Sequence, residues 1–123
     1  MFHVIDDAAF VREMMITFLE KQGYQVKAFC NAIEYIAFVK SEEFKEPVCS
    51  FTDVNMPRMN GYEMIDVILN LKPELQFVLM TSELTIREEY LGKVSQHLAK
   101  PFRFAEVVQI VQEFHVPKTS VTQ

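Results

Sequence analysis

Six residues of this chain carry reactive side chains at the ends of short apolar runs. Asp6 and Asp7 follow Phe2-His3-Val4-Ile5, Asp53 follows Val48–Thr52, Thr81 closes Phe77–Thr81 with Ser82 behind it, and Lys100, before Pro101, follows His97–Ala99. Three carboxylates gathered in one place repel one another unless a cation sits among them. A small set of oxygen ligands suits Mg2+, which keeps several waters and leaves positions for phosphate oxygens. A carboxylate can attack a phosphoryl group and form an acyl phosphate. A metal and an ammonium such as that of Lys100 can neutralise the oxygens of the transferred group. Asp53, alone after its run, is the natural nucleophile, and Thr81 offers a small hydroxyl beside it.

Each residue also has an ordinary explanation. An Asp pair before a helix is a common N-cap, and a lone Asp after a strand is common turn chemistry. Lys100-Pro101 reads by itself as an exposed dipeptide, and the seven methionines read as core filler. What favours the chemical reading is that the reactive residues fall at corresponding ends of successive strands, in one order.

The elements that must position them alternate between β-rich runs and helical patterns. After the first strand, residues 8–22 place Phe10, Val11, Met14, Met15, Phe18 and Leu19 at helical spacing, with Arg12, Glu13, Glu20 and Lys21 on the other side. Gly23 is the expected stop, because it adopts a left-handed conformation at little cost. Gln25–Phe29 is the second strand, and Asn31 with Glu34 predicts a capped helix to about Lys40. An acidic loop, Ser41–Glu46, leads to the strand Val48–Thr52. Asn60 with Glu63 opens a helix to about Leu71 that buries Tyr62, Ile65, Ile68 and Leu69 and ends before Pro73. Phe77–Thr81 is the most apolar strand, Thr85 with Glu88 predicts a short fourth helix, His97–Ala99 a weak fifth strand, and Phe104–Phe114 a last helix. Such alternation implies right-handed crossovers and a parallel sheet covered on both faces. Ligands of such sheets bind outside the carboxyl ends of the strands, where the reactive residues fall.

The composition agrees with one domain. The chain has 123 residues, half of them hydrophobic and 24% charged, with 12 basic and 17 acidic residues for a net charge of −5. An acidic chain is poorly suited to clamp nucleic-acid phosphates through its overall field. No uncharged apolar run approaches the ~18–20 residues of a membrane span, and no basic secretory leader is visible. Cys30 and Cys49 read as reduced thiols of a cytoplasmic protein, Cys49 buried in a strand. His3, His97 and His115 are too scattered for a zinc site. Pro117–Gln123 reads as a polar tail or the start of a linker.

Together, Asp6-Asp7, the run Asp53-Val54-Asn55-Met56-Pro57-Arg58-Met59-Asn60-Gly61, Thr81-Ser82 and Lys100-Pro101-Phe102 resemble the receiver domain of two-component response regulators, over about residues 2–115. The resemblance implies a flavodoxin-like (βα)5 three-layer sandwich with strand order 2-1-3-4-5, and a receiver domain over residues 1–116. It implies that Asp53 accepts a phosphoryl group from the phosphohistidine of a sensor histidine kinase or a histidine phosphotransfer protein. Asp7, Asp53 and the backbone carbonyl of Asn55 would then bind Mg2+, with Asp6 acting mostly through water. Thr81 would hydrogen-bond the phosphoryl group and Lys100 would pair with it. Pro57 would fix the loop after Asp53, and Gly61 would let the next helix start close by. Asn55 and Glu83 resemble the tuning positions of chemotaxis-type receivers and imply a short-lived phosphorylated state.

By the same resemblance the signal passes to a downstream protein or a fused output domain, with a phosphorylation-dependent homodimer as a further form. The exposed start of the first helix, around Ala8, Ala9 and Arg12, is where a kinase helix would dock. The chain departs from the family pattern twice. His97 stands at the switch position usually held by Tyr or Phe; an inward-swinging His97 would make the switch respond to pH, whereas an ordinary half-exposed strand imidazole would have no role. Thr81 and Lys100 are 19 residues apart, about one helical turn (~3–4 residues) fewer than in most relatives. Leu91-Gly92-Lys93-Val94 marks an early stop to the fourth helix, which with the fifth strand and fifth helix commonly forms the family's contact face.

Three other classes share parts of this pattern. A haloacid-dehalogenase-like phosphatase also uses an Asp nucleophile, Mg2+, Ser/Thr and Lys, but its Asp-x-Asp follows the first strand; here the +2 residue is Asn55 and the run follows the third. A flavodoxin would need a Ser/Thr/Gly-rich phosphate loop where this chain has Asp6 and Asp7. A phosphorylation-independent interaction module would keep the fold without needing the complete set of site residues.

Overall fold

The computed structural model describes residues 1–114; the expected tail, and His115 with it, lies outside them. Ten elements follow one another: β1 (Phe2–Ile5), α1 (Ala9–Lys21), β2 (Val26–Phe29), α2 (Ala32–Lys40), β3 (Ser50–Asp53), α3 (Gly61–Leu71), β4 (Phe77–Thr81), a single 3-10 turn (Glu88–Tyr90), β5 (Gln96–Ala99) and α4 (Phe104–Gln112). The five strands are all parallel, in the expected order β2-β1-β3-β4-β5.

Side chains alternate between the two faces along each strand. Ile5, Phe29, Phe77 and Leu79 pack with Tyr35, Ile36, Ile65 and Ile68 of α2 and α3. Val4, Phe51, Val78 and Met80 pack on the other face with Met15 and Leu19 of α1 and Val107 and Val111 of α4. The result is three layers around a sheet whose central strands are buried on both sides. Among the described residues no helix is long and apolar enough to cross a membrane.

The helix starts follow their local signals. The Asn31 side chain accepts from Glu34 N–H at 2.8 Å. At α3 the box is complete, Asn60 accepting from Glu63 N–H and Glu63 from Asn60 N–H, each at 2.9 Å. Gly23 stands just past α1 with φ 91°, the left-handed stop expected of it.

Four local expectations are corrected. Phe10, placed on the apolar side of α1, is 76% exposed; it lies in the first turn, before the helix reaches over the sheet. Leu69 is only half-buried, at the margin of the α3 face. β3 begins at Ser50 and includes Asp53, so Cys49 is buried just ahead of the strand rather than in it.

The largest correction concerns the fourth helix. Thr85 caps nothing, and residues 82–95 form an irregular strap holding only the 3-10 turn, entered from Arg87. A parallel crossover must return the whole length of the strands. An α-helix advances ~1.5 Å per residue and a 3-10 turn ~2.0 Å, so a connection one turn too short covers that distance only by extending.

Candidate functional site

The strand ends deliver the reactive groups to one edge. Asp6 and Asp7 leave β1, while Asp53 and Thr81 are the final residues of β3 and β4, in register with Met80 and Ala99. Lys100 leaves β5 across a cis peptide bond to Pro101, and its N–H donates to the Thr81 carbonyl at 2.9 Å. One carboxylate oxygen each of Asp6, Asp7 and Asp53 lies within 4.8 Å of the others. The Lys100 ammonium donates to Asp6 Oδ2 at 2.9 Å and to Asp53 Oδ1 at 3.2 Å.

Asp6 is not the N-cap of α1, which is Ala8 and has no side-chain cap bond. The Asp6 Oδ1 accepts from Ala8 N–H at 2.9 Å, tying the turn into α1, while Oδ2 faces Lys100. Asp6 is fully buried, Asp53 is 6% exposed and Asp7 is open to solvent. The cluster therefore opens on the Asp7 side.

Burial pushes the Asp53 carboxyl up to about 6, the Asp6 charge adds to the rise, and Lys100 opposes it. Burial pulls Lys100 down, but its bond to Asp6 and the two buried carboxylates outweigh this and leave it raised. Three acids with one ammonium are short of positive charge. The donors are hard oxygens and the spacing accommodates one small cation, so the residues fit Mg2+.

The loop after Asp53 is tightly specified. Gly61 N–H donates to the Val54 carbonyl at 2.7 Å, and a Cβ on Gly61 would stand 2.2 Å from the Asp53 carbonyl oxygen. Glycine is thus required by close approach, which fixes α3 directly onto the strand end of Asp53. Between them Pro57 precedes Arg58, whose φ of 70° is left-handed. Asn55 is exposed within this loop.

Thr81 is buried, and its Oγ1 accepts from Glu83 N–H at 3.0 Å. His97 is apart from the acids. It pairs with Leu79 on the α3-facing side of the sheet, is half-buried, and its buried Nε2 has no partner among the described residues.

One residue near the site has a role that local pattern did not reveal. Arg12 is half-buried, and its guanidinium donates to the Asp6 carbonyl at 2.7 Å. An Arg one turn into the helix that follows the acid pair was the available signal. Beside the acids, Phe10, Val11, Met14, Ser82, Lys100, Pro101 and Phe102 line an apolar cleft of about 310 Å3.

An aspartate cluster, a hydroxyl and a lysine thus share the carboxyl edge of a doubly wound parallel sheet, the parts of a phosphoacceptor site. The response regulator receiver domain family matches residues 2–112, and the chain belongs to it. It is 29% identical over 114 residues to the chemotaxis protein CheY of Thermotoga maritima, covering 89% of this chain and 92% of that one. It is 29% identical over 116 residues to the regulatory protein VanRc of Enterococcus gallinarum, but spans only 47% of that longer protein. The response regulator TrrA of Thermotoga maritima, solved in complex with Mg2+–BeF, has the same fold at a TM-score of 0.75 and 22% identity, over 92% of this chain and 96% of that one.

Proposed function

We propose that Asp53 is the phosphoacceptor of this receiver. An Asp53 carboxylate oxygen attacks phosphorus, the P–N bond of a phosphohistidine breaks, and the departing imidazole nitrogen takes up a proton. The product is an acyl phosphate that water returns to carboxylate and phosphate. The observation that carries this reading is the bridging of Asp53 and Asp6 by Lys100 at the carboxyl edge of the sheet.

Mg2+ bound there would neutralise phosphoryl oxygens. Asp7, Asp53 and the Asn55 carbonyl would hold it, with Asp6 contributing through water. Asp6 anchors Lys100, Arg12 holds the β1–α1 turn that presents the acids, and Thr81 supplies a hydroxyl at the neighbouring strand end. In the cell the donor would be a sensor histidine kinase or a histidine phosphotransfer protein in the cytoplasm. The signal would pass to a downstream protein or a fused output domain by a population shift. Asn55 and Glu83 favour a short-lived adduct. Thr81 and His97 are the proposed switch pair, and a phosphorylation-dependent homodimer is to be sought by light scattering with and without the phosphoryl group.

The test is intact mass after incubation with acetyl phosphate and Mg2+. One phosphoryl adduct, absent in Asp53→Asn and in EDTA, supports the receiver chemistry. Turnover of phosphate esters without an adduct would favour a phosphatase, and neither would favour an interaction module that works without phosphorylation.

A further inference from the structure

The strap in place of the fourth helix puts one buried side chain into the core. Between Ser82 and Ser95, Tyr90 is the one buried side chain; Leu84 is 97% exposed and Leu91 also faces solvent. Ile86 and Val94 pack only at the core's edge. The Tyr90 ring lies on Tyr62 of α3, with centroids 4.4 Å apart. Its hydroxyl donates to Asp66 Oδ2 at 2.5 Å, and Lys93 Nζ donates to Asp66 Oδ1 at 2.8 Å. Arg87 adds a backbone N–H bond to the Tyr62 hydroxyl at 3.2 Å and stacks its guanidinium over the same ring.

The two sides of this latch lead back to the two strand ends of the site. On one side α3 carries Tyr62 and Asp66 and is pinned at Gly61 to the Asp53 carbonyl and Val54. On the other side the strap begins at Ser82, and its Glu83 N–H holds the Thr81 hydroxyl. Asp53 and Thr81 are therefore joined by a closed circuit running through Gly61, Tyr62, Asp66, Tyr90 and Glu83. The Thr81 hydroxyl bond is thus made to the start of the strap, whose single buried anchor is Tyr90. An element held so lightly can take two positions.

We propose that Tyr90 and Asp66 are positioning residues for the phosphoryl site: their hydrogen bond latches the strap on α3 and holds Thr81 in the position of the unphosphorylated chain. A phosphoryl group that draws the Thr81 hydroxyl away from Glu83 N–H opens the latch. Because coupling of binding free energies is reciprocal, opening the latch by mutation favours the phosphorylated form. The proposal rests on Asp53 being the acceptor.

The experiment measures affinity for beryllofluoride in the presence of Mg2+ by calorimetry, on chains shown to unfold cooperatively in urea. Tyr90→Phe keeps the ring on Tyr62 and removes only the hydroxyl; Asp66→Ala removes the same bond from the other side together with that of Lys93. Tyr90→Phe should bind about three- to tenfold more tightly than the wild type, the range expected for one hydrogen bond, and Asp66→Ala at least as tightly as Tyr90→Phe. In a Thr81→Ala background the gain from Tyr90→Phe should vanish, which a merely structural role for Tyr90 would not produce. Amide exchange across residues 83–95 should accelerate when the wild type binds beryllofluoride and should already be fast in Tyr90→Phe. Unchanged affinity in both variants, a gain that survives Thr81→Ala, or slower exchange of the strap on binding overturns the latch while leaving Asp53 as acceptor. A wild-type chain that binds no beryllofluoride overturns both.

Discussion

Lys100 Nζ and Asp53 Oδ1 lie 3.2 Å apart at the carboxyl edge of the sheet, a contact between residues 47 positions apart in the chain. The same ammonium holds Asp6, so one lysine offsets two buried carboxylates. Lys100→Met should leave those acids facing each other. We expect a loss of about 1–3 kcal/mol in urea unfolding, since removing one partner of a buried pair strands the other. Asp53 should also titrate higher than in the wild type. An unchanged urea midpoint would show that the acids do not need the lysine.

Two buried groups give opposite pH dependences in metal-free buffer. Asp53 is raised from 3.8 to about 6, so the folded chain binds the proton more readily and acidification through this window is stabilising. His3 is lowered from 6.5 to about 4, chiefly by burial, so the unfolded chain binds the proton more readily. Its contribution is complete above 6.5 and is lost as pH falls towards 4. In the wild type the two oppose each other where the windows overlap. Asp53→Asn should expose the His3 loss, at most ~1.4 kcal/mol per pH unit for one proton. His3→Phe should instead gain stability on acidification relative to Asp53→Asn. Urea titrations across this range check it, and parallel curves for the two variants would refute the assignment.

Gly61→Ala tests the coupling of α3 to the acceptor. The added Cβ would meet the Asp53 carbonyl oxygen, which is backbone and has no rotamer to yield. A cost of about 1–3 kcal/mol or more is expected for such overpacking, together with slower acceptance of phosphoryl groups from acetyl phosphate. A variant with wild-type stability and rate would mean the loop relaxes freely.

The parts of the molecule written in short-range signals were legible in the sequence. The Asn31–Glu34 and Asn60–Glu63 starts, the Gly23 stop and the alternation of strands and helices each depend on residues within a few positions of one another. The gathering of Asp6, Asp7, Asp53 and Lys100 followed from the rule that parallel sheets present such residues on one edge. Other features depend on packing between distant segments. Tyr90 meets Asp66 across 24 positions and His3 meets Tyr35 across 32, and no local pattern pairs them. The shortened connection after Thr81 announced that the fourth helix was curtailed. It did not announce that Thr85 would cap nothing, because the distance the strap must span is a property of the finished sheet. Phe10 fitted the helical periodicity, yet the first turn of α1 carries it beyond the sheet.

His97 can be tested without knowing a partner. Its buried Nε2 has no hydrogen-bond partner among the described residues, and an unpaired buried polar atom costs about 1–3 kcal/mol. His97→Phe should therefore raise the urea midpoint with an unchanged slope. A lower midpoint would show that the imidazole is satisfied and belongs to the resting structure.

The most direct measurement locates the phosphoryl group itself. The chain is phosphorylated with acetyl phosphate and Mg2+, reduced with borohydride, which converts an aspartyl phosphate to homoserine, and sequenced by peptide mass spectrometry. Homoserine at position 53 and at no other aspartate is the predicted result. Homoserine at Asp6 or Asp7, or none in a chain that remains folded and metal-loaded, would contradict it.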